Sequence, residues 1–156
     1  MPSAGAAEVA LDVCGGHGIL ALLLLIFKKA ERAIILDIDS PRSFSTMRAA
    51  WAQWLPQGGA DGAPDALECR HGDVHATLPA TLTDLRGKRV AVCAIHACDF
   101  LTDLAMESAM ASGVNFGVMP CCHVDRHKGQ LKQAATSCQI CRFSRPRAGS
   151  AGAIRR

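Results

Sequence analysis

The chain has 156 residues, enough for about one domain, and its 49% apolar and 20% charged residues are typical of a soluble globular protein. The longest apolar run, Ile19–Phe27, has nine residues, whereas a membrane-spanning helix needs about 20, so we expect no membrane anchor. Residues 1–8 lack the basic start and apolar stretch of a secretory signal. We therefore expect a cytoplasmic protein with reduced cysteines, although an organelle is not excluded.

Short apolar runs alternate with helical patterns along the chain, which predicts a parallel sheet with flanking helices. Five runs have the length and composition of strands: Val9–Val13, Ala33–Leu36, Ala66–Arg70, Arg89–Ile95 and Val114–Met119. The fourth run is almost continuously apolar, as expected of a strand that is buried on both faces. We therefore predict an α/β fold with about five mainly parallel strands.

The segments between these strands predict three helices, over Ile19–Glu31, Pro41–Leu55 and Leu101–Ser112. Leu101, Leu104, Ala105, Ser108 and Ala109 form the inner stripe of the third helix, which we expect to end at Gly113. Residues 57–64 are predicted to be a loop and residues 74–86 a less regular segment. A weaker helical pattern covers residues 129–141.

Charge is distributed unevenly along the sequence. From Val124 onward there are eight Lys/Arg residues and one acidic residue, whereas the rest of the chain has nine basic and 13 acidic residues. We predict a core domain over residues 1–125 and a basic, partly disordered tail over residues 126–156. Such a tail permits contact with RNA but is more often simply solvated.

A glycine-rich turn, D-V-C-G-G-H-G, follows the first strand and leads into the first helix at Asp12–Gly18. Gly16 and Gly18 let backbone N–H groups approach a ligand closely because they have no Cβ. Asp37 ends the second strand 19 residues beyond Gly18, where its carboxylate is placed to accept hydrogen bonds from ribose hydroxyls. This part of the sequence predicts a nucleoside-containing cofactor.

Two cofactors fit this turn. Residues 16–21 match G-x-G-x-x-A, the fingerprint of a nicotinamide dinucleotide. S-adenosylmethionine is favoured by Asp12, an acid that suits a cationic ligand but would repel a pyrophosphate, and by Asp73, which follows the third strand and is placed to take an adenine amino group. An NAD(P)-dependent oxidoreductase therefore stays open as an alternative.

Two further motifs follow the fourth and fifth strands: H-A-C-D at His96–Asp99, with Thr102-Asp103 after it, and P-C-C-H at Pro120–His123. With the glycine turn, they resemble the methyltransferase-domain family that includes the glutathione S-transferase C-terminal domain-containing proteins. The resemblance covers about residues 9–123. It implies a Rossmann-like class I methyltransferase that uses S-adenosylmethionine, with cofactor-binding residues at Asp12, Cys14, Gly16, Gly18, Asp37, Asp73 and His96.

The sequence departs from this family in two respects. Cys14 stands where the family usually has the first glycine of D-x-G-x-G-x-G. Class I methyltransferases usually also have a helix before the first strand and two strands after the fifth, and neither pattern is recognisable here. We expect a fold that is truncated at both ends, which keeps a non-catalytic interaction module as a second alternative.

The residues after the last two strands are the candidates for chemistry. The candidate catalytic residues are His96, Asp99 and His123. Either histidine can act as a base when the methyl acceptor must lose a proton, and Asp99 can orient the methyl acceptor. Cys121 and Cys122 are weaker candidates for a nucleophile of the RNA 5-methylcytosine type. Together with Cys138 and Cys141 they also offer thiols to zinc, although we predict no metal site. The methyl acceptor and the oligomeric state are not readable, and RNA is weakly favoured as the acceptor.

Overall fold

The protein is described here by a computed structural model that covers residues 5–55 and 66–120. A five-stranded, entirely parallel sheet forms its centre, in the order β3-β2-β1-β4-β5. The strands are β1 Ala7–Val13, β2 Ala30–Asp37, β3 Leu67–His71, β4 Val90–Ile95 and β5 Asn115–Met119. This architecture confirms the predicted Rossmann-like α/β fold.

Helices cover both faces of the sheet: α1 Ile19–Ile26, α2 Phe44–Trp51 followed by a 3₁₀ turn Ala52–Trp54, α3 Val74–Asp84 and α4 Phe100–Ser112. On one face, α3 and α4 pack against alternate strand residues that include Leu11, Ile34 and Val92. On the other face, α1 packs against the intervening residues Ala33 and Ile35. Alternation along each strand thus divides the apolar residues between two cores.

The prediction that β4 is buried on both faces was wrong for one face. Val90, Val92 and Ala94 point into the core beneath α3 and α4 and are buried. Ala91, Cys93 and Ile95 point to the opposite face and are only half-buried, because α1 packs on β1 and β2 rather than on β4.

Helix α1 ends five residues earlier than the pattern predicted, and β2 begins at Ala30 rather than Ala33. The helix stops because Lys28 adopts a left-handed conformation, with φ 54°. The Lys28 N–H then donates to Leu25 O at 3.0 Å and the Lys29 N–H to Leu24 O at 2.8 Å, which is the Schellman arrangement of a helix C-terminus. Glycine normally occupies this position, so a lysine gave no stop signal.

The segment predicted as less regular, residues 74–86, contains helix α3 instead. The Asp73 side chain caps its N-terminus by accepting a hydrogen bond from the His75 N–H at 2.9 Å. Val74, Leu78 and Leu82 are buried at a spacing of four residues, so packing stabilises a helix that Pro79 would otherwise disfavour. The second predicted helix is also shorter, since α2 covers only Phe44–Trp51.

Because all strands are parallel, the sheet has two unlike edges. The carboxyl edge is where the strands end, at Val13, Asp37, His71, Ile95 and Met119; the amino edge is where they begin. Among the described residues, no helix has the length and apolar character needed to cross a membrane. The predicted boundary at residue 125, the tail, and the loop at residues 57–64 lie outside the described residues.

Candidate functional site

The glycine turn connects the end of β1 to α1 at the centre of the carboxyl edge. Cys14, Gly16 and Gly18 all have left-handed backbone conformations, with φ values of 57°, 52° and 69°. An L-residue in this region costs about 1–2 kcal/mol, which is why glycine is favoured at such alternate positions. Cys14 therefore keeps the backbone conformation of the glycine that the family usually has here. It differs from that glycine in carrying a side chain and in the strain that the side chain causes.

Gly15 is required for a different reason, which the sequence did not indicate. A Cβ at this position would lie 2.7 Å from Cγ and 2.8 Å from Oδ2 of Asp12, closer than side-chain atoms approach one another. The turn therefore folds directly over the Asp12 carboxylate. The only sequence signal was the Gly-Gly pair itself, and the second glycine alone fitted the known motif.

Asp12 lies beneath this turn and is 2% exposed. Its Oδ2 accepts a hydrogen bond from the Ala21 N–H at 3.1 Å, which places the acid at the N-terminus of α1. Burial raises the pKa of the Asp12 carboxyl from 3.8 to about 6; the Ala21 N–H opposes this increase and the charge of Asp37 reinforces it. The structure thus gives this carboxylate a partner inside the fold.

Asp37 ends β2, where the sequence placed it, and the fold brings it against the glycine turn. Its Oδ2 accepts a hydrogen bond from the Gly16 N–H at 2.8 Å, and its Oδ1 accepts one from the Ile38 N–H at 2.7 Å. A carboxylate oxygen has two acceptor positions, so each oxygen can still accept a hydroxyl. The side chain of Ile38 beside it is 77% exposed, which puts an apolar surface next to this acid.

Gly72 and Asp73 join this arrangement after β3. The Gly72 N–H donates to Asp37 O at 3.0 Å, which connects the ends of β2 and β3. Gly72 has φ 149°, and a Cβ there would lie 2.7 Å from Cγ2 of Thr77. Asp73 is exposed and uses Oδ1 to cap α3. The glycine turn, Asp37 and Gly72-Asp73 are therefore contiguous along the edge.

The H-A-C-D motif forms a strained turn between β4 and α4. His96 and Asp99 have φ values of 66° and 59°, both in the region that favours glycine, and both side chains are exposed. The His96 N–H donates to Met119 O at 3.2 Å, and the Thr102 hydroxyl donates to Ala97 O. Strained residues of this kind are concentrated at functional sites. His96 and Asp99 lie on the same edge as Asp37, but neither forms a hydrogen bond or ion pair with it in the part of the chain that the structure describes.

An aromatic pair that the sequence did not predict lies beside this turn. The rings of His75 in α3 and Phe100 in α4 stack with centroids 5.3 Å apart and an angle of 24° between their planes. The Phe100 side chain remains 50% exposed. Twenty-five positions separate the two residues in the sequence, so no local pattern could have found the pair.

Three of the four described cysteines, Cys14, Cys69 and Cys93, are poor candidates for nucleophiles. Burial raises the pKa of Cys14 to about 12, and burial also raises the pKa values of Cys69 and Cys93. A thiol in this state forms little thiolate at neutral pH. The other predicted chemical residues, His123 together with Cys121, Cys122, Cys138 and Cys141, lie outside the described residues.

Comparison with known proteins agrees with this geometry. No curated protein is similar enough to the chain to match it. A family model described as a methyltransferase domain matches residues 2–128, most of the chain and all of the described sheet. The protein therefore belongs to a methyltransferase-domain family.

Proposed function

We propose that the chain binds S-adenosylmethionine across the carboxyl edge and is a methyltransferase that uses it as methyl donor. The observation that carries the proposal is the position of Asp37. Its carboxylate is held by the Gly16 N–H at the glycine turn and keeps an acceptor position on each oxygen. A ribose has two neighbouring hydroxyls that match these two positions.

The charge of the edge favours a cationic ligand over a dinucleotide. Three acids that are exposed or half-buried lie at or just beyond the strand ends: Asp37, Asp73 and Asp99. S-adenosylmethionine carries a sulfonium and an ammonium group, whereas the pyrophosphate of a nicotinamide cofactor is an anion that these acids would repel. Under the proposal Asp12, Cys14, Gly16 and Gly18 form the subsite for the methionine portion.

The remaining residues of the edge provide the rest of the site. Asp73 is assigned to the adenine amino group, and the exposed side chain of Ile38 offers an apolar surface to the base. The bound cofactor supplies an electrophilic methyl group, so the protein contributes mainly by positioning. His96 lines the cleft, and Asp99 orients the acceptor. His96 or His123 accepts a proton when the acceptor must lose one.

Titration calorimetry with S-adenosylmethionine and with NAD tests the proposal. We expect the first to bind and the second not to bind. Asp37→Ala should weaken S-adenosylmethionine binding at least tenfold, because hydrogen bonds to a charged acceptor contribute about 1.5–3 kcal/mol each.

Asp39→Ala is the matched control. Asp39 lies two residues further on, is exposed, and within residues 5–55 and 66–120 accepts only the Ser40 N–H, at 2.7 Å. Its loss should therefore leave the affinity within about twofold of the wild type. Binding of NAD alone, or equal losses in the two variants, would contradict the proposal. Thermal unfolding of both variants separates a loss of binding from a loss of fold.

A further inference from the structure

The amino edge of the sheet carries a charge opposite to that of the carboxyl edge. Lys28 and Lys29 follow α1, and three more cations lie between α3 and β4: Arg86, Lys88 and Arg89. The acids near them are Glu8 and Glu31. Positive charge thus predominates on the side of the sheet that faces away from the proposed cofactor.

A cavity of about 520 Å³ opens at this edge, between the first residues of β1, β4 and β5. Its charged lining is entirely basic and consists of Lys29, Lys88 and Arg89. Gly5 and Gly113 also line it, and because glycine has no side chain they leave the cavity accessible; Asn115 adds an amide. The volume lies within the range of about 300–1,000 Å³ that is typical of sites for small ligands.

The charges of the three cations are only partly balanced by neighbouring acids. Lys29 makes no ion pair within the part of the chain that the structure describes. Lys88 lies 3.6 Å from Glu8, and Arg89 lies 3.9 Å from Glu8 and 4.0 Å from Glu31. The Lys88 and Arg89 side chains are 57% and 68% exposed, and ion pairs so long and exposed contribute little.

Helix dipoles explain part of this pattern but not the cavity. Cations are favoured after helix C-termini, which accounts for Lys28 as well as for Lys29. The C-terminus of α4 at Gly113 adds about half a negative charge to the lining, against three full positive charges. Lys28 also follows α1 but does not line the cavity. Even with Glu8 beside Lys88 and Arg89, positive charge is in excess at the cavity, and this excess favours an anionic ligand.

We propose that this cavity is a second binding site, which takes a phosphate group through Lys29, Lys88 and Arg89. The planar guanidinium of Arg89 suits two phosphate oxygens at once, and the two lysines add point charges. The phosphate belongs either to a small phosphorylated molecule or to the backbone of an RNA strand. The site lies on the edge opposite the proposed methyl-donor site and does not depend on it.

Calorimetry of the full chain with pyrophosphate, at low ionic strength and without methyl donor, tests the small-molecule source. We expect binding by the wild type and at least a tenfold loss in Lys29→Met/Lys88→Met. Lys28→Met is the matched control, because it removes a neighbouring charge that does not line the cavity. It should bind within about twofold of the wild type.

A short single-stranded RNA tests the polymer source. Each phosphate contact contributes about 0.7 to the slope of log K against log salt, so the double variant should bind with a slope that is shallower by about 1.4. Lys28→Met should keep the wild-type slope. Basic residues beyond Val124 are the same in all variants, so their contribution cancels in this comparison.

The site is supported if binding of either ligand is weakened in the double variant but not in Lys28→Met. The ligand that responds identifies the source of the phosphate. The proposal is overturned if neither ligand responds to the double variant, or if Lys28→Met loses as much affinity as the double variant. Because neither measurement uses S-adenosylmethionine, its outcome is separate from that of the proposed function.

Discussion

The carboxyl and amino edges of the sheet differ in what holds their residues in place. At the carboxyl edge the backbone itself is constrained: Cys14, His96 and Asp99 are non-glycine residues with positive φ, and a buried carboxylate lies beneath Gly15. At the amino edge the cations are exposed side chains on an open cavity. Site residues are therefore coupled to stability at the first edge and largely independent of it at the second.

The largest expected effect concerns Asp12 and pH. Its pKa is about 6 in the folded protein and 3.8 without the fold, so the folded state holds the proton more tightly. The resulting stability is fully present below about pH 4, is lost as pH rises through 6, and amounts to about 3 kcal/mol. Asp12→Asn cannot titrate, so its stability relative to the wild type should increase by this amount between pH 4 and 7.

Urea unfolding of both proteins across this pH range measures the difference and cancels the titration of all other groups. The buried amide of Asp12→Asn adds a cost that does not change with pH, so the expectation concerns the change in separation between the two curves from pH 4 to 7 and not the separation at any one pH. Parallel curves with no change in their separation would contradict it.

The second effect compares two costs of adding a Cβ in the glycine turn: overpacking at Gly15 and backbone strain at Gly16. Gly15→Ala places a Cβ against the Asp12 carboxylate and should destabilise the fold by about 1–3 kcal/mol through overpacking. At Gly16 a Cβ meets nothing within 4 Å, so Gly16→Ala should cost only the strain of its left-handed backbone, about 1 kcal/mol. Chemical denaturation ranks the two variants, and a larger cost at Gly16 would refute the close packing over Asp12.

The smallest effect compares left-handed residues at the two edges. Cys14 and Lys28 have nearly the same φ, 57° and 54°, but Cys14 is half-buried and Lys28 is exposed. At each position the glycine variant should be more stable than the alanine variant by about 1 kcal/mol, because both replacements lose the side chain and only glycine relieves the strain.

The cost of replacing the wild-type residue by alanine should differ between the two edges. Cys14→Ala should cost more than Lys28→Ala, since only Cys14 packs against the core. Thermal unfolding of the glycine and alanine variants at both positions, together with the wild type, measures these differences. Equal stability of the glycine and alanine variants at both positions would contradict the assigned backbone conformations.

Hydrophobic patterning was sufficient to predict the sheet. All five strands were found, four of the five residues predicted for the inner stripe of α4 lie in or against the core, and its end at Gly113 was confirmed. The errors have local physical causes. Helix α1 ends just before Lys28, where glycine would have been the usual signal. Pro79 disfavours a helix in the sequence pattern, but Val74, Leu78 and Leu82 of α3 pack on the core.

For the candidate site, the sequence predicted which residues lie at the strand ends, while their role in binding stays a prediction. The pattern placed Asp37 at the end of the second strand, and the structure adds its hydrogen bond with the Gly16 N–H. Neither the role of Gly15 nor the stacking of His75 on Phe100 was predictable, because both depend on residues that only the fold brings together. The amino-edge cavity was missed for the same reason: Lys29 and Arg89 lie 60 positions apart in the sequence.

The order of the strands has a consequence for synthesis of the protein. β1 is the central strand, yet one of its two neighbours, β4, begins at Val90, and the Arg89 N–H donates to the Glu8 carboxylate across 81 residues. While the ribosome is still making the second half of the chain, one side of the nascent β1 stays unpaired. Contacts this distant form slowly and leave apolar strand edges exposed to other chains. We therefore expect truncated chains that end before β4 to aggregate, and the newly made protein to depend on chaperones until β4 has paired.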